Sequence, residues 1–159
     1  MGRRSIKENK SVWQQVREER GLTREKAGEL IPGFSPERIE KIENGRIYLQ
    51  PGDALLLSEY YKAPALCNHY CAHECPIGQV HALRTESKEL GQITVETLNA
   101  LNKLYGFRDR LLEIAEDGQV QPDELEDFTQ IKASLDKIAL SVSNLQLWVD
   151  EQIAAGPPL

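Results

Sequence analysis

Residues 22–45, LTREKAGELIPGFSPERIEKIENG, read as two short helices joined by a tight turn. Thr23 caps a first helix that runs to Leu30 or Ile31, and Pro32-Gly33 breaks it. Ser35-Pro36 then supplies a hydroxyl cap followed by proline at the first helical position, where its missing N–H costs nothing. In the second helix Ile39 and Ile42 stand three apart and face inward. Glu37, Arg38, Glu40 and Lys41 are left outside, and Asn44-Gly45 provides the left-handed stop. Ala27 and Gly28 suit the place where the helices press together, because a large side chain there would hold their axes apart.

Working outward, Ser11 and Gln14 read as a capping box, with Trp13, Val16 and Leu22 as apolar anchors of a preceding helix that ends at Arg20-Gly21. Beyond Gly45, residues 46–50 form a loop, and Pro51-Gly52-Asp53 opens a helix to Tyr60 or Tyr61 whose Leu55, Leu56 and Leu57 feed the core. Pro64 starts a fifth short helix, closing a five-helix globule near residue 75. At the other end, residues 1–10, MGRRSIKENK, carry Arg3, Arg4, Lys7 and Lys10 against Glu8 alone. They read as a basic flexible arm, either a frayed terminus or a follower of phosphates.

This is a helix-turn-helix pattern. With Gly21-Leu22-Thr23 before it and Ile42-Glu43-Asn44-Gly45 closing it, the stretch resembles the XRE-type, Cro/CI-like family of DNA-binding domains over residues 11–66. The resemblance implies an all-α, five-helix lambda-repressor-like domain and a sequence-specific transcriptional regulator of double-stranded DNA. It also implies roles. The second helix, entered at Ser35, would lie in the major groove with Glu37, Arg38 and Lys41 near base edges, while Thr23, Arg24, Asn44 and Arg46 would hold phosphates. Carboxylates on that face meet repulsion from phosphates, although they can accept from cytosine. A protein-interaction adaptor that uses the same helices without DNA is therefore the competing expectation.

The whole chain, 159 residues with a net charge of −6, divides unevenly. Residues 1–66 hold 12 Lys/Arg against 10 Asp/Glu, net +2, and residues 67–159 hold 7 against 15, net −8. A mildly basic head on an acidic tail is compatible with a DNA-contacting module joined to one that stays off DNA. No apolar run approaches the ~20 residues of a membrane helix, and no secretory signal is present, so the expected location is cytoplasmic. No triad and no glycine-rich phosphate loop is evident, which points to binding and not to an enzyme.

Residues 67–84 form a Cys/His-rich junction in which Cys67, Cys71 and Cys75 fall four apart, with His69 and His73 between them and His81 beyond. Such density in a reducing compartment suggests zinc or an iron-sulfur cluster more than disulfides. Helical geometry limits this reading. Residues eight apart on a straight helix lie roughly 12 Å apart, and thiolates on one zinc lie ~2.3 Å from it. Either the segment unwinds near Pro76 and Gly78, or a neighbouring pair binds, or the thiols only pack.

Residues 85–155 read as a long antiparallel helical hairpin. From Ser87 to Glu116, Leu90, Ile93, Thr97, Ala100, Leu104, Phe107, Leu111 and Ile114 alternate three and four apart, and Leu98, Leu101 and Leu112 widen the stripe. After Asp117-Gly118 a second helix carries Phe128, Ile131, Leu135, Ile138, Val142, Leu145 and Val149 in the same alternation. Each helix, ~45 Å long, has more apolar face than one partner covers, so the expectation is a homodimer. The acidic turn lacks a calcium ligand at Ala115, and its acids read as helix-start charges.

Overall fold

A computed structural model describes residues 9–116, 121–122 and 124–156. The expected arm up to Glu8 and the acidic turn around Asp117, Gly118, Val120 and Asp123 lie outside the described residues. All described elements are helices, and among them none is long and apolar enough to cross a membrane. The chain divides into two compact units, one running to Arg84 and including the chain from Asp150, the other Thr85–Val149.

The first unit holds α1 (Val12–Glu19), α2 (Arg24–Leu30), α3 (Pro36–Glu43), α4 (Pro51–Tyr60), α5 (Ala65–His73) and α6 (Pro76–His81). Ser11, Thr23 and Ser35 cap the first three through their hydroxyls, which accept from Gln14, Lys26 and Arg38 backbone N–H at 3.3, 3.2 and 3.2 Å. At Ser11 the expected reciprocal box is not what Gln14 makes, since its amide turns down the helix to donate to Glu18 at 2.8 Å. Trp13, Ala27, Ile31, Phe34, Ile39, Ile42, Leu57, Tyr61, Leu66 and Tyr70 share one buried core. Of the three consecutive leucines only Leu57 is fully inside; Leu55 is 61% exposed, because adjacent residues cannot share one helical face.

The Cys/His-rich stretch folds within this unit. α5 stops at His73, Glu74 and Cys75 turn the chain, and α6 returns against α5. The return is close because Gly78 has no side chain: a Cβ there would lie 2.0 Å from the Cys71 carbonyl oxygen.

The second unit is formed by α7 (Leu90–Gly106), α8 (Arg108–Glu116) and most of α9 (Leu125–Ala155). Antiparallel pairing follows from its tethers. Asn144 Oδ1, late in α9, accepts from Glu86 N before α7 at 3.1 Å, and Asp127, early in α9, accepts from Arg110 Nε in α8 at 2.7 Å. The single helix expected from Ser87 to Glu116 is two. Gly106, a weak helix former, ends α7, and Phe107 leaves helical geometry at ψ 3° before α8 restarts. Within α9 the buried positions are Ile131, Ser134, Ser141, Asn144 and Leu147, so the expected stripe is only partly interior. Phe128, Leu135, Val142 and Val149 remain 41–47% exposed.

Candidate nucleic-acid interface

The two helices of the central stretch meet where the sequence has its smallest side chains. Ala27 is fully buried, and a Cβ on Gly28 would meet Pro36 Cδ at 3.0 Å, so α2 and the start of α3 approach as closely as backbone allows. Gly33 and Gly45, both at positive φ (76° and 65°), supply the turns before and after α3. Ile39 and Ile42 seat α3 on the core, which leaves Glu37 and Lys41 exposed and Arg38 and Glu40 half-buried.

The cations around α3 are mostly engaged. Arg38 donates to the Gly33 carbonyl and to Asp53 Oδ2, each at 2.8 Å, with its guanidinium 4.6 Å over the Phe34 ring. Arg24 Nε donates to Glu43 Oε2 at 2.8 Å, and Arg46 lies 3.7 Å from Glu40. Asn44 turns its amide back to the Glu40 carbonyl at 2.8 Å. Lys41 makes no ion pair among the described residues, and it is the exposed cation that α3 presents. Glu37 sits by the cap: the Ser35 hydroxyl and the Glu37 backbone N–H hold its carboxyl below the usual range, with Lys41 assisting. Glu25 has the same arrangement at Thr23, led by its own backbone N–H.

Residues 14–74 match a protein family described as a helix-turn-helix domain. This part of the chain is a helix-turn-helix domain. Comparison with curated proteins and with solved structures found no match. The matched stretch takes in α5, beyond the boundary read at Leu66, and agrees with the buried Tyr70 and Ala72 of that helix.

Two features of the helix-turn-helix domain escaped the sequence reading. Arg17 of α1, 5% exposed, and Glu43 of α3, 4% exposed, form a buried ion pair. Nothing in an apolar periodicity count registers a buried charge, although an Arg and a Glu on otherwise core-facing positions were visible. Tyr48, 96% exposed in the loop after α3, offers a ring and hydroxyl beside Arg46. An aromatic in the loop of residues 46–50 was the available signal.

The structure does not gather the cysteines. α5 is continuous through Cys67 and Cys71, and the chain bends only afterwards, at Cys75, whose side chain packs on the core. All three are free thiols, and among the described residues no group of three or more His, Cys, Asp or Glu is placed to hold a metal. The segment therefore does not unwind before His73, and three thiols do not converge from α5. The histidines do something else. His69 stacks on His73 at 4.5 Å between centroids and meets the Trp13 ring edge-on at 5.9 Å, while Trp13 Nε1 donates to Glu74 at 2.8 Å.

Proposed function

We propose that the chain is a sequence-specific DNA-binding transcriptional regulator of the XRE type, acting in the cytoplasm by binding and not by catalysis. The observation that carries this reading is the α2–turn–α3 pair, small at its crossing and capped at both helix starts, with Lys41 and Glu37 on the outer face of α3. In this reading α3, from Ser35, enters the major groove. Lys41, Glu37 and, once freed from Asp53, Arg38 reach base edges; Thr23, Arg24, Asn44 and Arg46 approach phosphates. The second unit makes the protein a homodimer, so that two copies of α3 address half-sites about one DNA turn, ~34 Å, apart.

The test is selection of bound fragments from genomic DNA with purified protein, followed by a salt titration on one selected fragment. Affinity should fall steeply with salt as phosphate contacts release counterions. A second reading, an adaptor that contacts protein through these helices, is favoured by the carboxylates that occupy Arg24, Arg38 and Arg46. Failure to enrich any fragment would support the adaptor.

A further inference from the structure

The second unit has two flanks of opposite character. On one, α7 and α9 line a shared cleft with Glu96, Asn99, Lys103, Lys137 and Leu140. At 3.6 residues per turn, the opposite flank of α7 carries Leu98, Leu101 and Tyr105, and the opposite flank of α9 carries Phe128, Leu135 and Val142. These six side chains are 41–72% exposed. Between Thr94 and Tyr105, and between Phe128 and Val149, the register places a single charged residue on this flank, Lys132, and it pairs with Asp136 at 2.7 Å. A flank so poor in charge stands out in a chain that is 28% charged.

Spacing says what kind of body fits it. Leu98 and Tyr105 are seven residues apart, as are Phe128, Leu135, Val142 and Val149 in turn. A seven-residue apolar repeat is the seam of helix packed along helix. Because two antiparallel helices both present it, the fitting partner is a further pair of helices of the same spacing. A second copy of this chain carries that pair. The α9 stripe is ~32 Å long at 1.5 Å per residue and the two helices are ~20 Å wide. The footprint is about 640 Å² per partner, or about 1,300 Å² in total, within the range of stable specific interfaces.

We propose that the flank bearing Leu98, Leu101, Tyr105, Phe128, Leu135 and Val142 docks the same flank of a second copy, closing a four-helix bundle about a two-fold axis and leaving the Lys103–Lys137 flank outward. This deepens the dimeric part of the reading above by naming the surface, and it does not depend on DNA. The experiment is sedimentation of the full chain without DNA at micromolar concentration. The wild type should be a dimer. Leu135→Glu and Leu98→Glu, on separate helices, should each weaken self-association at least about 100-fold by placing a charge in the seam, whereas Lys137→Glu on the other flank should stay dimeric. All three sites are exposed in the single chain, so helical circular dichroism should be unchanged, and the milder Leu98→Ser covers the case where a glutamate disturbs folding. A monomeric wild type, or dissociation by Lys137→Glu with Leu135→Glu still dimeric, overturns the proposal. A dimer lost in Leu135→Glu supports it even where no DNA fragment is enriched, and that lack would count against the DNA reading alone.

Discussion

The guanidinium of Arg17 and the carboxylate of Glu43 meet at two points inside the first unit, with Nη2 3.1 Å from Oε2 and Nε bonded to Oε1. Burial alone would lower the arginine's affinity for its proton, but the hydrogen bond and charge of Glu43 outweigh it and hold Arg17 more firmly protonated than usual. The pair ties α1 to the C-terminal end of α3, and Arg17 Nη1 also donates to the Leu22 carbonyl at 2.6 Å, fixing the approach to α2.

Removing one partner strands the other charge in the core. Glu43→Gln should therefore destabilise the chain by about 3–5 kcal/mol, and the double change Arg17→Met with Glu43→Leu should recover most of that loss. Urea unfolding measures both. A loss below about 1 kcal/mol for Glu43→Gln would show that the pair is not a structural tie.

Arg38 and Lys41 should separate in two assays. Arg38→Ala removes the bonds to Gly33 and Asp53 and the contact over Phe34, so a loss of about 0.5–1.5 kcal/mol is expected after allowing for its partial exposure. Lys41→Ala should leave stability unchanged, weaken binding to a selected fragment by about 1–3 kcal/mol and relax the sequence preference at the base it reads. Equal fragment affinity in wild type and Lys41→Ala would remove α3 from the role of reader.

A matched pair of glycine changes tests the α5–α6 return. Gly78→Ala drives a Cβ into the Cys71 carbonyl and should cost about 1–3 kcal/mol or more. Gly91→Ala in α7, with open space around it, should be neutral or stabilising by up to about 1 kcal/mol. Thermal unfolding of both variants decides, and a tolerated Gly78→Ala would mean that α6 readily moves off α5.

What the sequence made legible were features with local causes. The caps at Thr23 and Ser35, the break at Pro32-Gly33 and the stop at Gly45 each depend on one or two residues. The Gly28 contact was legible because small residues between two helices have few other uses. Long-range polar pairing was not legible: Arg17 and Glu43 are 26 residues apart, and an apolar periodicity does not register a charge at a core-facing position. The cysteines drew attention to their chemistry, whereas the residue that shapes their segment is Gly78. In α9, Ser134, Ser141 and Asn144 point inward, and a stripe defined by apolar residues alone does not register them.

The last prediction concerns pH and rests on His69. Burial lowers its pKa, the neighbouring His73 lowers it further, and Glu74 opposes both with the smaller effect. The folded domain therefore binds this proton less readily than the unfolded chain does. The stability gained by keeping His69 neutral is present above the ordinary value of about 6.5, and it is lost as pH falls through the depressed folded value. Trp13, in edge contact with His69, provides the signal, and Trp148→Phe removes the competing emission. Urea midpoints followed by Trp13 fluorescence from about pH 7.5 to 5.5, above the range where most carboxylates titrate, should decline toward acid in the wild type and flatten in His69→Gln. The same decline in both proteins would assign the acid sensitivity to another group.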